Sequence, residues 1–203
     1  MPCGYSVSAI RILQSSPCHA IGMRGVFFQA MSRKTIFITG GARSGKSSFA
    51  ENLAKGATGK RAYLATAQAL DPEMAARIEE HRKNRGTSWD TFEEPLAVAD
   101  LLRKLDGRYQ LVLLDCLTLW LSNVIARSAE NGAVLARADE LLEVLSGFAG
   151  TAVIVSNEVG LGIVPENALA RRFRDLAGII NQRMAKAADE VYFLASGIPM
   201  RIK

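Results

Sequence analysis

The sequence predicts an α/β fold, a mostly parallel, doubly wound sheet with helices on both of its faces. Two observations predict it. Short runs rich in β-branched and aromatic residues alternate along the chain with longer segments of helical character, and this alternation is typical of parallel strands joined by helices. Some of these runs, such as residues 111–114, are apolar at every position, as in strands that helices cover on both faces.

The first half of the chain opens with a strand, a glycine-rich loop and a helix. The β-branched segment 35–39 is the predicted strand, and Phe49 and Leu53 place two apolar side chains on one face of a helix over 46–55. Proline suits the first position of a helix, so another helix is expected to begin at Pro95. The elements between them are a strand over 61–66, a polar helix over 71–85 and an extended segment over 89–93.

The second half continues the alternation and ends in a strand pair. The predicted elements are a strand within 109–116, helices over 117–128 and 133–148, a strand over 151–156, a loop over 157–167, a long helix to about 188, a strand over 190–194 and its partner over 200–203. The long helix is expected to turn one face to the core, formed by Leu169, Phe173, Leu176 and Ile180. We expect Arg171 and Asp175, one helical turn apart, to pair on its outer face.

Composition is that of an ordinary globular domain. Of 203 residues, 49% are hydrophobic and 22% charged, which is enough apolar surface for one core and excludes a wholly disordered chain. The most apolar stretch, 111–126, is too short for a membrane span and contains Asp115. Scattered Cys3, Cys18 and Cys116 suit neither a disulfide framework nor a zinc site, and therefore indicate the cytoplasm. We expect Cys116 to be a small core residue.

Charge favours anionic small molecules over nucleic acid. Lysine and arginine number 25 against 20 acidic residues, a net charge of +5, but the basic residues are dispersed, whereas a nucleic-acid-binding protein gathers them in a stripe. Residues 1–30 contain arginines but no acidic residue, show no helical or strand period and lack a convincing signal peptide. We therefore expect a poorly ordered N-terminal extension before a domain over 31–203, and Met31 is an alternative start.

The loop after the first strand matches a phosphate-binding motif at every position. Residues 40–47 read GGARSGKS, which fits G-x-x-x-x-G-K-[ST] in the required order of strand, loop and helix. Backbone N–H groups of such a loop surround phosphate oxygens. Lys46 is expected to reach the β- and γ-phosphates, and Ser47 to ligate Mg²⁺. The predicted nucleotide-binding residues of this P-loop are Gly40, Gly41, Ala42, Arg43, Ser44, Gly45, Lys46 and Ser47.

Other strand ends supply further candidates at the same edge of the sheet. Asp115 ends a buried strand, where a carboxylate can hold Mg²⁺ through water together with Ser47. The alternative is that Asp115 only caps the following helix. Residues 157–167 either shape a turn, with Asn167 capping the long helix, or contact substrate. The remaining candidates for nucleotide binding at this edge are Thr66, Ala67 and Gln68.

The polar helix carries one histidine between two arginines. Arg77, His81 and Arg85 are spaced four apart and therefore share one face. Neighbouring guanidiniums disfavour protonation of an imidazole and can also bind phosphate oxygens. The alternative is a solvated, charged face with a passive histidine, which the i,i+4 pair of Glu79 and Lys83 supports. Spacing by itself leaves both interpretations open.

Four segments together resemble one family, the bifunctional adenosylcobinamide kinase / adenosylcobinamide-phosphate guanylyltransferases of cobalamin biosynthesis. The resemblance covers about residues 34–203 and places the chain among P-loop NTPase-like folds. Its most specific part is the loop over 157–167 with the helix after it. The segments are TGGARSGKS at 39–47, MAARI at 74–78 with His81, LDCLT at 114–118, and SNEVGLGIVPEN at 156–167 followed by NQR at 181–183 and ADEV at 188–191.

The resemblance implies two reactions in one site. ATP or GTP phosphorylates adenosylcobinamide, and GTP then donates GMP to adenosylcobinamide phosphate through a covalent adduct on a histidine, which His81 matches here. Arg77, Arg82 and Arg85 are candidates for contacts to the α-phosphate. Glu93 and Asp115 resemble family positions near the nucleotide, and the family forms homo-oligomers, described as trimers. A P-loop small-molecule kinase without guanylyl transfer is the alternative function. A regulatory GTPase is disfavoured, because the guanine-reading N-K-x-D element is absent.

Overall fold

A computed structural model describes residues 33–85 and 88–203, except for the side chains of residues 84 and 85. The predicted extension over 1–30, Met31, Cys3 and Cys18 lie outside the described residues. Seven strands form one sheet in the order β3-β2-β4-β5-β1-β6-β7. The strands are β1 (Lys34–Gly40), β2 (Arg61–Ala65), β3 (Asp90–Glu93), β4 (Leu111–Asp115), β5 (Thr151–Val155), β6 (Glu190–Ala195) and β7 (Ile198–Arg201).

The sheet is parallel except at one edge, as the sequence predicts. The first strand, β1, lies between β5 and β6 and is parallel to both, and β4 lies between β2 and β5. Only β7 is antiparallel, paired with β6 through a tight hairpin. Because the parallel strands all point the same way, the loops that follow β1, β2, β4 and β5 meet at a single edge.

Helices cover both faces of the sheet and create two hydrophobic cores. Alternate residues of β4 separate them: Leu111 and Leu113 pack on the side of α1, whereas Val112 and Leu114 pack on the side of α3, α4, α5 and α6. A strand buried on both faces explains the continuous apolar run that predicted it. The helices are α1 (Lys46–Lys55), α2 (Pro72–Arg85), α3 (Val98–Leu105), α4 (Leu117–Arg127), α5 (Asn131–Gly147) and α6 (Ala168–Ala187).

Three local predictions are wrong. Helix α3 begins at Val98 instead of Pro95, because the Glu94 carboxylate accepts hydrogen bonds from the backbone N–H groups of residues 96 and 97 and forms a turn first. Leu169, predicted for the core face of α6, is 59% exposed in the first turn of that helix. Arg171 donates to the carbonyls of residues 165 and 166 instead of pairing with Asp175.

The start of α6 confirms one of the two roles considered for the preceding loop. The side-chain oxygen of Asn167 accepts hydrogen bonds from the backbone N–H groups of Leu169 and Ala170, at 2.8 and 3.0 Å, so it caps the helix.

Among the described helices, none combines the length and the apolar character that crossing a membrane requires.

Candidate active site

The P-loop adopts a backbone that only glycine accommodates at two of its positions. Gly40 has a φ of 153°, and a Cβ atom there would lie 2.5 Å from the carbonyl oxygen of Leu194 in β6. Gly45, with a φ of 93°, is the last residue before α1. These two positions lead the chain from the end of β1 tightly into the first turn of α1, whose N–H groups then face the sheet edge.

Lys46 lies inside the loop that it follows. Its side chain is buried, with the Nζ atom donating to the Gly41 carbonyl at 2.6 Å and lying 3.4 Å from the Ser44 hydroxyl. Burial lowers the pKa of this ammonium from its usual value, while the nearby Cys116 and Asp115 act in the opposite direction. An anion that enters the loop would compensate the buried charge, which is the role of a P-loop lysine.

Ser47 and Asp115 meet across the sheet edge, as predicted. The Ser47 hydroxyl donates to Asp115 Oδ2 at 3.3 Å, and the Tyr63 hydroxyl donates to the same oxygen at 2.5 Å. Asp115 is not the N-cap residue of α4, because Cys116 occupies that position. The carboxylate is therefore directed at the P-loop serine.

A single cleft of about 920 Å³ brings the candidates together. Residues of the P-loop and residues of α2 both line it, and His81 on α2 is half-buried. This shared cleft places the imidazole and the phosphate cradle around the same cavity. The predicted residues that line it are Ala42, Arg43, Ser44, Gly45, Lys46, Ser47, Ala67, Gln68, His81, Arg82, Glu93 and Asp115, together with Arg77.

Some predicted residues do not line this cleft. Thr66 is fully buried, and its hydroxyl donates to the Cys116 carbonyl at 2.8 Å and accepts from the Cys116 N–H at 2.9 Å. Gly40 and Gly41 lie at the base of the loop, and the carbonyl of Gly41 contacts Lys46. The side chain of Arg85 lies outside the described part of the chain, so its predicted nucleotide contact remains a prediction.

Arg82 and Glu93 form an ion pair at the cleft. The hydrogen bond from Arg82 to Glu93, with the charge of that carboxylate, raises the pKa of the guanidinium. The pair connects α2 to the end of the edge strand β3. Since both side chains are exposed, the pair contributes little to stability, but it holds two residues that line the cleft together.

Sequence comparison establishes the family. The family described as "Cobinamide kinase / cobinamide phosphate guanyltransferase" matches residues 36–202. The chain belongs to this family. "Bifunctional adenosylcobalamin biosynthesis protein CobP" of Pseudomonas aeruginosa is 45% identical over 166 residues, covering 82% of this chain and 95% of that protein. "Bifunctional adenosylcobalamin biosynthesis protein CobU" of Escherichia coli is 42% identical over 180 residues, covering 83% and 99%.

Solved structures are similar at a lower level. The RadB recombinase matches with a TM-score of 0.49 and 17% sequence identity, over 80% of this chain and 74% of that one. The membership of the cobinamide kinase / guanyltransferase family therefore depends on the sequence relatives.

Tyr63, which lines the cleft, and Asn181, which lies beside it, are residues that the sequence analysis did not predict. The buried side chain of Asn181 accepts a hydrogen bond from Ser156 at 2.7 Å and donates to the carbonyl of Asn157 at 3.2 Å, which fixes the segment after β5 beside the cleft. Asn181 appears in the NQR segment that resembles the family, so a signal existed. For Tyr63 the only signal was its place in a strand next to the Asp115 strand, and that adjacency requires the sheet order.

Cys116 is buried, as predicted, and burial together with the charge of Asp115 raises the pKa of its thiol to about 11. In the unfolded chain a thiol titrates near pH 8.5, so the folded state loses stability as the pH rises above that value towards 11. Between pH 8.5 and 10.5 we expect the free energy of unfolding of the wild type to fall by about 2 kcal/mol more than that of Cys116→Ala. Denaturant titrations of both proteins at the two pH values measure this, and equal losses would contradict the raised pKa.

Proposed function

We propose that this chain phosphorylates adenosylcobinamide with ATP or GTP and then transfers GMP from GTP, through His81, to adenosylcobinamide phosphate. The products of the second reaction are adenosylcobinamide-GDP and pyrophosphate. Family membership and the names of the bifunctional relatives support both activities. The observation that carries the proposal is the shared cleft, because His81 and the P-loop line the same cavity.

Guanylyl transfer proceeds by two displacements at the α-phosphorus. A ring nitrogen of His81 attacks this atom, the bond from the α-phosphorus to the bridging oxygen breaks, and pyrophosphate leaves with the electron pair. An oxygen of adenosylcobinamide phosphate then attacks the His81–GMP adduct, and the N–P bond breaks to return the imidazole. Lys46, Arg77 and Arg82, which line the cleft, stabilise the negative charge on the phosphoryl oxygens.

The residues present fit a magnesium ion that arrives with the nucleotide. Ser47 and Asp115 bring a hydroxyl and a carboxylate oxygen within 3.3 Å of each other, the hard oxygen donors that Mg²⁺ prefers. The described residues contain no group of three or more His, Cys, Asp or Glu side chains able to hold an ion, so phosphate oxygens would complete its ligands. When bound, the ion would neutralise negative charge on the transferred phosphate.

We also propose a cytoplasmic homo-oligomer, with a trimer implied by the family resemblance. The family membership supports this assembly, and the three scattered cysteines support a reducing compartment.

A two-stage labelling experiment tests the function. The protein is incubated with GTP labelled at the α-phosphate and Mg²⁺, freed of nucleotide, and then given adenosylcobinamide phosphate. We expect acid-labile, base-stable label on the protein, followed by its transfer to adenosylcobinamide-GDP. In parallel, GTP or ATP labelled at the γ-phosphate is supplied with adenosylcobinamide. Label on the corrinoid from the γ-phosphate without any protein-bound GMP would instead establish the monofunctional kinase.

A further inference from the structure

We propose that Tyr63 is a positioning residue for Asp115, and that it sets the affinity of the nucleotide-bound enzyme for its divalent cation. The inference rests on the proposed function, because it concerns the cation that accompanies the nucleoside triphosphate. The observation that carries it is a short hydrogen bond, in which the Tyr63 hydroxyl donates to Asp115 Oδ2 at 2.5 Å. Hydrogen bonds from a hydroxyl to a carboxylate oxygen are among the strong ones in proteins and fix the relative orientation of the two groups.

The sheet places the two side chains together. Tyr63 of β2 is the register partner of Leu113 in β4, and Asp115 lies two residues further along β4. Side chains two positions apart project from the same face of a strand, so the phenol reaches its diagonal neighbour across the sheet. The Tyr63 ring is 3% exposed and therefore has little freedom to move its hydroxyl away from the carboxylate.

Two donors share one oxygen of Asp115. Oδ2 accepts from Tyr63 and, at the longer distance of 3.3 Å, from Ser47. When Ser47 turns its oxygen towards a cation, the Tyr63 bond is the contact that still fixes the rotation of the carboxylate. Such outer contacts orient a ligand before the cation arrives, and their loss weakens metal binding about tenfold or more.

Aromatic packing holds the phenol in place independently of its hydroxyl. The Tyr63 ring meets Trp89 edge-on, with centroids 5.8 Å apart and an interplanar angle of 86°, and Arg61 lies over the same Trp89 ring. Removing the hydroxyl alone therefore leaves the ring packed. Tyr63→Phe is thus expected to fold and to lose the hydrogen bond to Asp115.

Tyr109, which lies just before β4, provides a matched control. It is also buried, its hydroxyl donates to the Asp90 carboxylate at 2.8 Å, and its ring meets Phe92 edge-on at 5.8 Å and 87°. Asp90 begins β3 and Asp115 ends β4, so in this parallel sheet the control pair lies towards the edge opposite the cleft. Tyr109→Phe removes an equivalent hydrogen bond without touching the cleft.

The experiment measures Mn²⁺ binding by electron paramagnetic resonance in the presence of a GTP analogue whose α- and β-phosphorus atoms are joined by a methylene group. This analogue cannot transfer GMP, so the measurement is independent of guanylyl transfer. We expect Tyr63→Phe to weaken Mn²⁺ binding about tenfold, with metal-free binding of the analogue unchanged. Tyr109→Phe should equal the wild type. In an Asp115→Ala background, Tyr63→Phe should cause no further loss, because alanine has no oxygen to accept the Tyr63 hydrogen bond.

Three results would overturn the inference. The first is a Tyr63→Phe variant that binds Mn²⁺ with wild-type affinity. The second is an equally large loss of analogue binding without metal, which would make Tyr63 a nucleotide contact. The third is a double variant whose loss of Mn²⁺ affinity is the sum of the losses in the two single variants. Failure of the proposed function is separate, because it appears as absent guanylyl transfer to His81 in a protein that still binds Mn²⁺ and the analogue.

Discussion

His81→Ala should form no covalent adduct with GMP, and its guanylyl transfer should fall by about 10⁴-fold or more, because the variant lacks the nucleophile that forms the first bond to the α-phosphorus. The kinase reaction should persist, since the P-loop, Ser47 and Asp115 are unchanged. Protein-bound label from α-labelled GTP and formation of phosphorylated adenosylcobinamide measure the two activities separately.

Glu80→Ala is the control for this substitution. Glu80 precedes His81 on α2 and is exposed, so the variant changes the helix equally near the nucleophile without removing it. We expect Glu80→Ala to retain the adduct at the wild-type level. If His81→Ala still carried acid-labile label, another side chain would be the nucleophile. If His81→Ala lost kinase activity as well, the imidazole would serve both reactions.

Lys46→Met should lose both activities, by about 10²- to 10³-fold each, because one preorganised cation at the transferring phosphate has this effect. The thermal stability of the Lys46→Met variant, in contrast, should not decrease. Burial lowers the pKa of the Lys46 ammonium in the folded protein, so near neutral pH the charge opposes folding. Methionine fills a similar volume without charge, and the melting temperature of the ligand-free variant should therefore equal or exceed that of the wild type.

Lys55→Met is the matched control at the other end of α1. Lys55 is exposed and bonds only to Asn52, at 2.8 Å, among the contacts described for it. We expect wild-type rates for both reactions in this variant. Steady-state rates and thermal melts of both variants measure these effects. A clearly lower melting temperature for Lys46→Met would show that its hydrogen bond to the Gly41 carbonyl outweighs the cost of burying the charge.

Much of the fold was predictable because local patterns decide it. The continuous apolar run of β4 and the glycine at each end of the P-loop have one structural solution, and both formed as expected. The errors arose where tertiary position overrides the local pattern. Leu169 has the helical spacing of a core residue, but it lies in the first turn of α6 and is exposed.

Contacts between distant segments were the part of the site that sequence could not supply. The spacing on α2 left the role of His81 open and the family resemblance implied it, but neither could show that His81 lines the same cleft as the P-loop. Similarly, β2 and β4 are neighbours although β3 lies between them in the chain. Alternation of strands and helices does not reveal this order, so the contact between Tyr63 and Asp115 was not predictable.

Helix α2 buries fewer side chains than the other described helices. Over residues 72–83 none of its side chains is fully buried, and only Met74, Ile78 and His81 are even half-buried. Elements with so little buried surface open at small free-energy cost. His81 therefore lies on a helix that we expect to open more readily than the buried helices of the sheet, and substitutions elsewhere on α2 should change how often the imidazole reaches the phosphate-binding loop.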